Sequence, residues 1–214
     1  MTQTGHASGL PAALARTSYG VLRPQDAAAV YAQPRPEFRR LVARGALHAL
    51  ATGYFAVVPP SDRDRRWQPT VEAAAYGIAA ASYGPAQAVL MGLSAARLHG
   101  AIPRALAVAV VAVPKQRPTL ALVDREATVV FVRRRTEVLA AERMATDLGF
   151  ALVTTVEQTV LDLARQPQVG GVPAEARAAI AALWTRCDPD ELGRIAKHQR
   201  GAAALRRARL WAGH

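Results

Sequence analysis

Residues 34–58 read PRPEFRRLVARGALHALATGYFAVV, and this stretch decides the fold of the first part of the chain. The apolar side chains Phe38, Leu41 and Val42 share one face of a helix predicted over residues 36–44. A proline in the first turn favours the start of such a helix, and a glycine directly after its last residue favours its end. The predicted helix therefore has one apolar face for a core and an opposite face that carries arginines.

Two short strands follow this helix and predict a β-hairpin. They cover residues 46–50 and 54–58, and the turn between them contains Gly53, as a tight connection requires. Upstream, residues 10–16 and 24–31 are predicted to be helical. This order of helices, turn and hairpin is typical of a winged helix-turn-helix.

The arginine face of the helix over 36–44 carries the residues best suited to contact DNA. Arg40 lies opposite the apolar face, where a guanidinium fork can reach the edge of a base in the major groove. Arg39 and Arg44 lie on the two shoulders of the helix, where they suit backbone phosphates. A solvated basic face without a ligand is the alternative. The predicted DNA contacts, including those from the hairpin, are Arg35, Arg39, Arg40, Arg44, Thr52 and Tyr54.

The composition limits the classes of function. The chain has 214 residues, 27 Lys or Arg against 16 Asp or Glu, and a formal net charge of +11. This excess suits an acidic partner such as nucleic acid, although richness in arginine and alanine also reflects genome composition. The single cysteine, Cys187, excludes an intramolecular disulfide and a cysteine-based metal cluster within one chain. A polar start and the lack of a long apolar run predict a cytoplasmic protein without a membrane span.

A charged, proline-containing stretch divides the chain. Residues 59–66, PPSDRDRR, have too little apolar content for a core element, which predicts a linker with the boundary near residue 64. We therefore expect a winged helix-turn-helix domain at 1–62 and a larger domain at 67–214. The second is predicted to be a helix-rich α+β domain with a small sheet.

The predicted elements of the second domain follow from apolar periodicity and from helix start and stop signals. Strands are predicted over residues 106–113, 127–132 and 151–153. Helices are predicted over residues 70–82, 86–98, 155–165 and 173–184, and basic helices after residue 188.

The end of the chain carries six positive charges with no acidic residue after position 191. Arg194, Lys197 and Arg200 are three positions apart and share one helical face. The run is a candidate for contacts to phosphates or to a protein partner, and a solvated face is the alternative. Its members are Arg194, Lys197, Arg200, Arg206, Arg207 and Arg209.

No group of residues predicts catalysis, a metal or a cofactor. The five histidines lack metal-ligand spacing. The strand that ends at Val113 has valine where a nuclease would need a metal-binding carboxylate two residues before Lys115. Asp162 is predicted to form structural hydrogen bonds. We therefore predict a protein that is not an enzyme.

Two stretches of the second domain resemble a known family. They are LSAARLHG at 93–100 and TTVEQTVLDLA at 154–164, with a strand-rich region between them. Together with the order of the domains and the hairpin residues Gly53 and Tyr54, they resemble the AbiEi antitoxins of abortive-infection toxin–antitoxin systems. Gln158 departs from this pattern, because many relatives have arginine there.

This resemblance implies a transcriptional repressor that binds inverted repeats in its own promoter and counters a neighbouring nucleotidyltransferase toxin. It also implies that the first domain binds duplex DNA and that the second is needed for antitoxicity. Two other classes stay open. A winged-helix regulator without a toxin partner would sense a small ligand with its second domain and needs a pocket there. An enzyme acting on nucleic acid would need a cluster of carboxylates or a metal site.

Overall fold

The computed structural model of the chain describes residues 9–15, 17–63 and 66–214. Within these residues the strands form one three-stranded and one six-stranded sheet, combined with helices. The predicted α+β class is confirmed. The last residue of the helix predicted over 10–16 and residues 64–65 of the predicted linker lie outside the described residues, as do residues 1–8.

The described residues up to position 62 form an amino-terminal unit with two α-helices and a three-stranded sheet that contains the predicted hairpin. Phe38 of its second helix packs edge to face against Phe55 of the hairpin, with 5.1 Å between the ring centroids. This contact fixes the helix on an antiparallel sheet of strand order β1-β3-β2. The elements are α1 (Ala12–Ala15), β1 (Val21–Leu22), α2 (Pro34–Ala43), β2 (Leu47–Ala51) and β3 (Tyr54–Val57).

The prediction of a helix over residues 24–31 is wrong. The structure has a short 3-10 turn there, Pro24–Ala27, beside an ion pair of 2.9 Å between Arg23 and Asp26. Ala27 is the only buried residue of this segment, so a longer helix would have no packed face to stabilise it. Gly45 ends the next helix, as predicted. Its φ of +69° is the left-handed conformation in which glycine commonly terminates a helix.

The second sheet is larger than the small sheet that the sequence predicts. Its strand order is β6-β7-β5-β4-β9-β8, with parallel pairs β5/β7 and β4/β9 and antiparallel pairs elsewhere. The strands are β4 (Val89–Leu90), β5 (Val108–Val113), β6 (Leu120–Ala121), β7 (Thr128–Arg133), β8 (Ala141–Thr146) and β9 (Gly149–Thr154).

Helices cover both faces of this sheet. The helices are α3 (Val71–Tyr83), α4 (Gly92–Leu98), α5 (Val156–Arg165), α6 (Pro173–Trp184), α7 (Pro189–His198) and α8 (Ala202–Ala212). Ala109 and Val111 of β5 belong to the core that contains α3, whereas Val110 and Ala112 belong to the core that contains α4 to α8. A strand buried on both faces needs a continuous apolar run, which β5 has. Every helix within the described ranges is too short or too polar to cross a membrane.

Helix α3 is buried on all sides between the two sheets. Residues 73–81 are all buried, and they share one core with Val21 and Leu50 of the amino-terminal unit. A Cβ atom on Gly77 would lie 2.3 Å from the Val21 Cγ2 atom and 3.0 Å from the Tyr19 carbonyl oxygen. Alanine and glycine therefore allow the two sheets to approach α3 from opposite sides. The division of the chain near residue 64 stays a prediction, and a shared core spans it.

The prediction of a single helix over residues 86–98 is also wrong. Only its second half is helical, because Leu90 pairs with Val111 of β5 and Val153 of β9, and Val89 pairs with Ala112 of β5. A short apolar run suits a buried strand and a buried helix equally well, so its periodicity could not distinguish them. Strand β8 was missed because its sequence, AERMAT, is a mostly exposed edge strand without an apolar pattern.

The close contact between α3 and β1 predicts a large effect for a small substitution. We expect Gly77→Ala to lower the free energy of unfolding by about 1–3 kcal/mol, because the added methyl group overpacks the contact with Val21. Urea unfolding followed by circular dichroism measures this change. Gly193→Ala is the matched control, since it adds the same methyl group to helix α7 where no atom lies within 4 Å. Equal stability of the two variants would contradict the packing described here.

Candidate nucleic-acid interface

Helix α2 presents its arginines on the side opposite the core. Phe38 and Leu41 are buried against the three-stranded sheet, as the predicted apolar face requires. The Arg40 side chain is 67% exposed and forms an ion pair with Glu37 one turn earlier. An exposed pair of this kind contributes about 0–1 kcal/mol, so another acceptor can replace Glu37 at small cost. The exposed arginines of this helix and its end are Arg35, Arg39, Arg40 and Arg44.

A cavity of about 580 Å³ lies between the first turn of α2 and the turn of the hairpin. Arg35, Thr52 and Tyr54 all line it, so the structure brings these three predicted residues together. Arg39, Arg40 and Arg44 do not line it. Because prolines occupy positions 34 and 36, two of the four amide groups that a helix start normally offers are missing. An anion in this cavity therefore depends on side chains for its hydrogen bonds.

The Tyr54 hydroxyl contacts two residues of the predicted second domain. It lies 2.8 Å from the Ser82 Oγ atom and accepts a hydrogen bond of 3.2 Å from Arg117 Nη1. Burial opposes ionisation of this phenol, but the hydrogen bonds with Ser82 and Arg117 outweigh it and lower the pKa of Tyr54. The Arg117 guanidinium also stacks over Phe131, 4.4 Å from the ring centroid. The hydroxyl thus anchors the hairpin, while the residue still lines the cavity.

A second polar contact fixes the other strand of the hairpin. The His48 Nε2 atom lies 2.7 Å from the Asp124 Oδ2 atom, which also accepts a hydrogen bond of 2.7 Å from Arg125. The Val123 amide donates to the Leu50 carbonyl at 2.9 Å. Burial opposes the charge on Asp124, but hydrogen bonds from Arg125 and His48 outweigh it and lower the pKa of this carboxyl. The hairpin therefore has a fixed orientation relative to the second domain.

The six basic residues near the end of the chain differ in their contacts. Arg194 on α7 forms an ion pair of 2.6 Å with Glu191. Arg207 on α8 donates to the Ala164 carbonyl at 2.8 Å, which ties α8 to α5. Arg200 lines a cleft of the second domain. The remaining members, which are exposed, are Lys197, Arg206 and Arg209.

The stretch at 154–164 builds a buried polar network. Thr155 caps α5 by accepting a hydrogen bond of 3.3 Å from the Gln158 amide. The side chain of Gln158 donates to Asp162 at 3.1 Å. Asp162 also accepts a hydrogen bond of 2.8 Å from Arg134. Burial raises the pKa of the Asp162 carboxyl, although Arg134 and Gln158 favour its charged form.

The two sequence stretches singled out at 93–100 and 154–164 contact each other. The His99 Nε2 atom lies 2.7 Å from the Thr154 carbonyl oxygen. The Thr154 hydroxyl in turn lies 2.7 Å from the Thr159 hydroxyl, and all three side chains are buried. These residues therefore hold α4, β9 and α5 together.

A comparison with family models gives the decisive match. The model described as the AbiEi antitoxin C-terminal domain matches residues 87–211, a range that contains both stretches. The chain belongs to the AbiEi antitoxin family. Its role is that of the antitoxin in a toxin–antitoxin system, and members of this family are regulatory proteins rather than enzymes.

The fold of this AbiEi antitoxin is similar to that of a solved structure. The RV2827C protein from Mycobacterium tuberculosis, known from a crystal structure, matches with a TM-score of 0.55 and 20% sequence identity. The similarity covers 94% of this chain and 74% of that one. At this identity the likeness establishes the fold alone. The comparison with curated proteins gives no match.

Several polar residues that hold distant segments of this antitoxin together were missed in the sequence. Arg117, Asp124 and Arg125 lie in connections around the short strand β6 and belong to no motif. Arg134 directly follows β7, where its sequence neighbours give no sign of the partner on α5. Only the approach of distant segments makes these side chains part of an interface.

The ion contacts of Asp124 predict a pH-dependent effect on stability. We expect Asp124→Asn to lower the free energy of unfolding at pH 7 by about 1–3 kcal/mol, because His48 and Arg125 lose a charged acceptor. The pKa of Asp124 is lower in the folded protein than in the unfolded one. Its charge therefore contributes fully to the free energy of unfolding above the unfolded pKa near 3.9. This contribution is lost as the pH falls through the folded pKa. The difference from wild type should therefore shrink below about pH 4.

Urea unfolding at pH 7, 5 and 3.5 measures this difference. Glu126→Gln removes an exposed carboxylate two positions away and is the control, with no expected change. A stability loss in Asp124→Asn that stays constant down to pH 3.5 would show that the charge of Asp124 is not its source.

Proposed function

We propose that this antitoxin binds duplex DNA with α2 and its hairpin, represses its own promoter at inverted repeats and counters a nucleotidyltransferase-type toxin. The observation that supports DNA binding is the exposed arginine face of α2, directly opposite the buried Phe38 and Leu41. The toxin half of the proposal rests on membership of the family.

The charge of α2 supports contact with a nucleic acid. The segment from Arg35 to Arg44 contains four arginines and one acid, Glu37, which leaves an excess of three positive charges. In the major groove, Arg40 would exchange Glu37 for the edge of a base, and Arg39 and Arg44 would contact phosphates.

The cavity beside α2 supports a second set of contacts. A duplex with α2 in its major groove brings its backbone near the hairpin, where Arg35 and Thr52 line one cavity. Arg117 holds Tyr54 from the other side, so the hairpin meets the duplex in a fixed orientation. Little ordering would then be needed on binding, which favours affinity.

Sensing of a small ligand by the second domain of this antitoxin is the second candidate function. One observation favours it: the second domain contains an arginine-lined cleft of about 860 Å³, as a ligand sensor requires. The reading frame next to the gene tests the toxin half of the first candidate, because a nucleotidyltransferase there supports it.

The geometry of α2 predicts different effects for two arginines. We expect Arg40→Ala to reduce binding to the upstream duplex by about 1–3 kcal/mol and to affect a scrambled duplex less, because Arg40 reads a base. Arg44→Ala should weaken both duplexes alike and lower the salt slope by about one, because Arg44 contacts the backbone. Both side chains are exposed, so thermal stability should change little.

Titration of both variants against the two duplexes at several salt concentrations measures these effects. Equal losses on both duplexes for Arg40→Ala would mean that this residue does not read bases. If the wild-type chain binds no upstream DNA even at low salt, the regulator half of the proposal is wrong.

Antitoxicity can be separated from repression in the full-length chain. The predicted domains share the core around α3, so substitutions on α2 are preferable to removal of the amino-terminal unit. With the neighbouring toxin expressed from an unrelated promoter, we expect the variant carrying both Arg39→Ala and Arg40→Ala to restore growth as well as wild type does. The same variant should no longer repress a reporter that carries its own promoter.

Growth of the co-expressing strains and reporter activity are the two measurements. If wild type does not restore growth under the unrelated promoter, direct antitoxicity is wrong and repression explains protection. If the double variant is folded but fails to restore growth, the arginine face of α2 takes part in neutralising the toxin.

A further inference from the structure

A cleft in the second domain gathers arginines from three places in the sequence. Arg200 follows α7 and Arg165 ends α5, and both face a run of arginines at the end of β7. The cleft has a volume of about 860 Å³. Its arginines are Arg133, Arg134, Arg135, Arg165 and Arg200.

These arginines have more positive charge than their neighbours neutralise. Arg134 forms an ion pair of 2.8 Å with Asp162, and Arg135 forms one of 3.0 Å with Glu137. Among the residues that the structure describes, no carboxylate lies within ion-pair distance of the other three. Five arginines against two carboxylates leave an excess of three positive charges in one concave space.

Hydrogen bonds within the protein hold two of the guanidinium groups in place. Arg134 is bound by the buried Asp162 and also donates to the Gln199 Oε1 atom at 3.3 Å. Arg165 donates to the Gln199 carbonyl at 3.2 Å. The exposed Arg133 and Arg200 then complete the cleft. A ligand that enters therefore meets donors whose positions are already set, which reduces the entropy lost on binding.

The backbone of Arg200 is the unusual feature of the cleft. Its φ is +52°, and it is the only non-glycine residue in the described part of the chain with a positive φ. Glycine is the usual residue at this place after a helix, because a side chain strains the left-handed conformation. The glycine stands one position later, where a Cβ atom on Gly201 would come within 2.9 Å of the Arg165 Nη2 atom. Strain of this kind persists at functional sites, where the side chain has a use.

The chemistry of the cleft favours phosphate groups. The planar guanidinium fork matches the oxygen atoms of a phosphate and binds them with two parallel hydrogen bonds. Three uncompensated charges suit an anion with several negative charges. The volume lies within the range of small-molecule sites, and Pro114 and Val138 add an apolar wall.

We propose that this cleft binds a nucleoside triphosphate and recognises it through the polyphosphate chain. Arg133 and Arg200 contact the phosphates directly, while Arg134 and Arg165 supply fixed donors beside them. The site lies in the second domain and goes beyond the proposed function, so it does not depend on repression or on the identity of the toxin.

Calorimetric titration of the full-length chain tests the proposal. The probes are the four common nucleoside triphosphates, inorganic tripolyphosphate and a 20-base-pair duplex, each without added metal. We expect one molecule of triphosphate per chain, and tripolyphosphate should compete with it because the phosphates are the recognised part. Absence of binding by any triphosphate below 1 mM would overturn the proposal.

Three variants locate the ligand. Arg200→Gly removes the side chain and also relieves the backbone strain, so affinity for triphosphate should fall about tenfold while the unfolding midpoint is unchanged or higher. Arg133→Ala should weaken binding by a similar factor. Arg177→Ala is the matched control, because this exposed arginine lies on α6 outside the cleft; its affinity should equal that of wild type. Arg134 is left intact, since its loss would leave Asp162 buried without a charged partner.

The duplex distinguishes a nucleotide site from an extension of the DNA-binding surface. If the proposal is correct, Arg200→Gly loses triphosphate affinity and keeps duplex affinity, whereas Arg40→Ala shows the reverse. Loss of duplex affinity in Arg200→Gly with unchanged triphosphate affinity would assign the cleft to DNA. Unchanged affinity for triphosphate in both Arg200→Gly and Arg133→Ala would also overturn the proposal.

Discussion

Burial of α3 on every side is the constraint on which the rest of the structure depends. One face of this helix packs on the six-stranded sheet and another on the three-stranded sheet, so large side chains would push the sheets apart. Alanines at most core positions and Gly77 against Val21 keep both distances short. The polar contacts of the hairpin, from Tyr54 to Ser82 and from His48 to Asp124, can form only because this packing brings the two parts of the chain together.

Local signals in the sequence account for the elements that were predicted well. Helix α2 has an apolar face and a glycine at its end, and α5 has a capping threonine whose hydroxyl accepts the hydrogen bond expected of it. Strand β4 could not be predicted in this way, because Val89 and Leu90 become a strand only when β5 and β9 lie beside them. The exposed strand β8 has no apolar pattern at all, since it needs only one neighbour and has solvent around it.

The candidate site likewise has features that the local sequence predicts and features that depend on distant segments. A helical projection places Arg40 opposite the core without any knowledge of the fold, and the structure has it exposed there. The engagement of Tyr54 by Arg117 joins residues 63 positions apart, and the arginine cleft joins β7, α5 and α7. Neither can be read from spacing along the chain. The high arginine content is similarly uninformative on its own, because function depends on which guanidinium groups have a carboxylate partner and which do not.

Gln158 shows how the structure supplies charge to a buried carboxylate from another element. It lies one helical turn before Asp162, where a basic side chain could neutralise the carboxylate from the same helix. In this chain the neutral Gln158 makes hydrogen bonds to Asp162 and to Gln199, and the positive charge comes instead from Arg134 at the end of β7. A charge supplied from the sheet rather than from α5 draws the segment after β7 toward α5 and α7. The cleft and its neighbours Arg133 and Arg135 are therefore a consequence of where the partner of one buried carboxylate is placed.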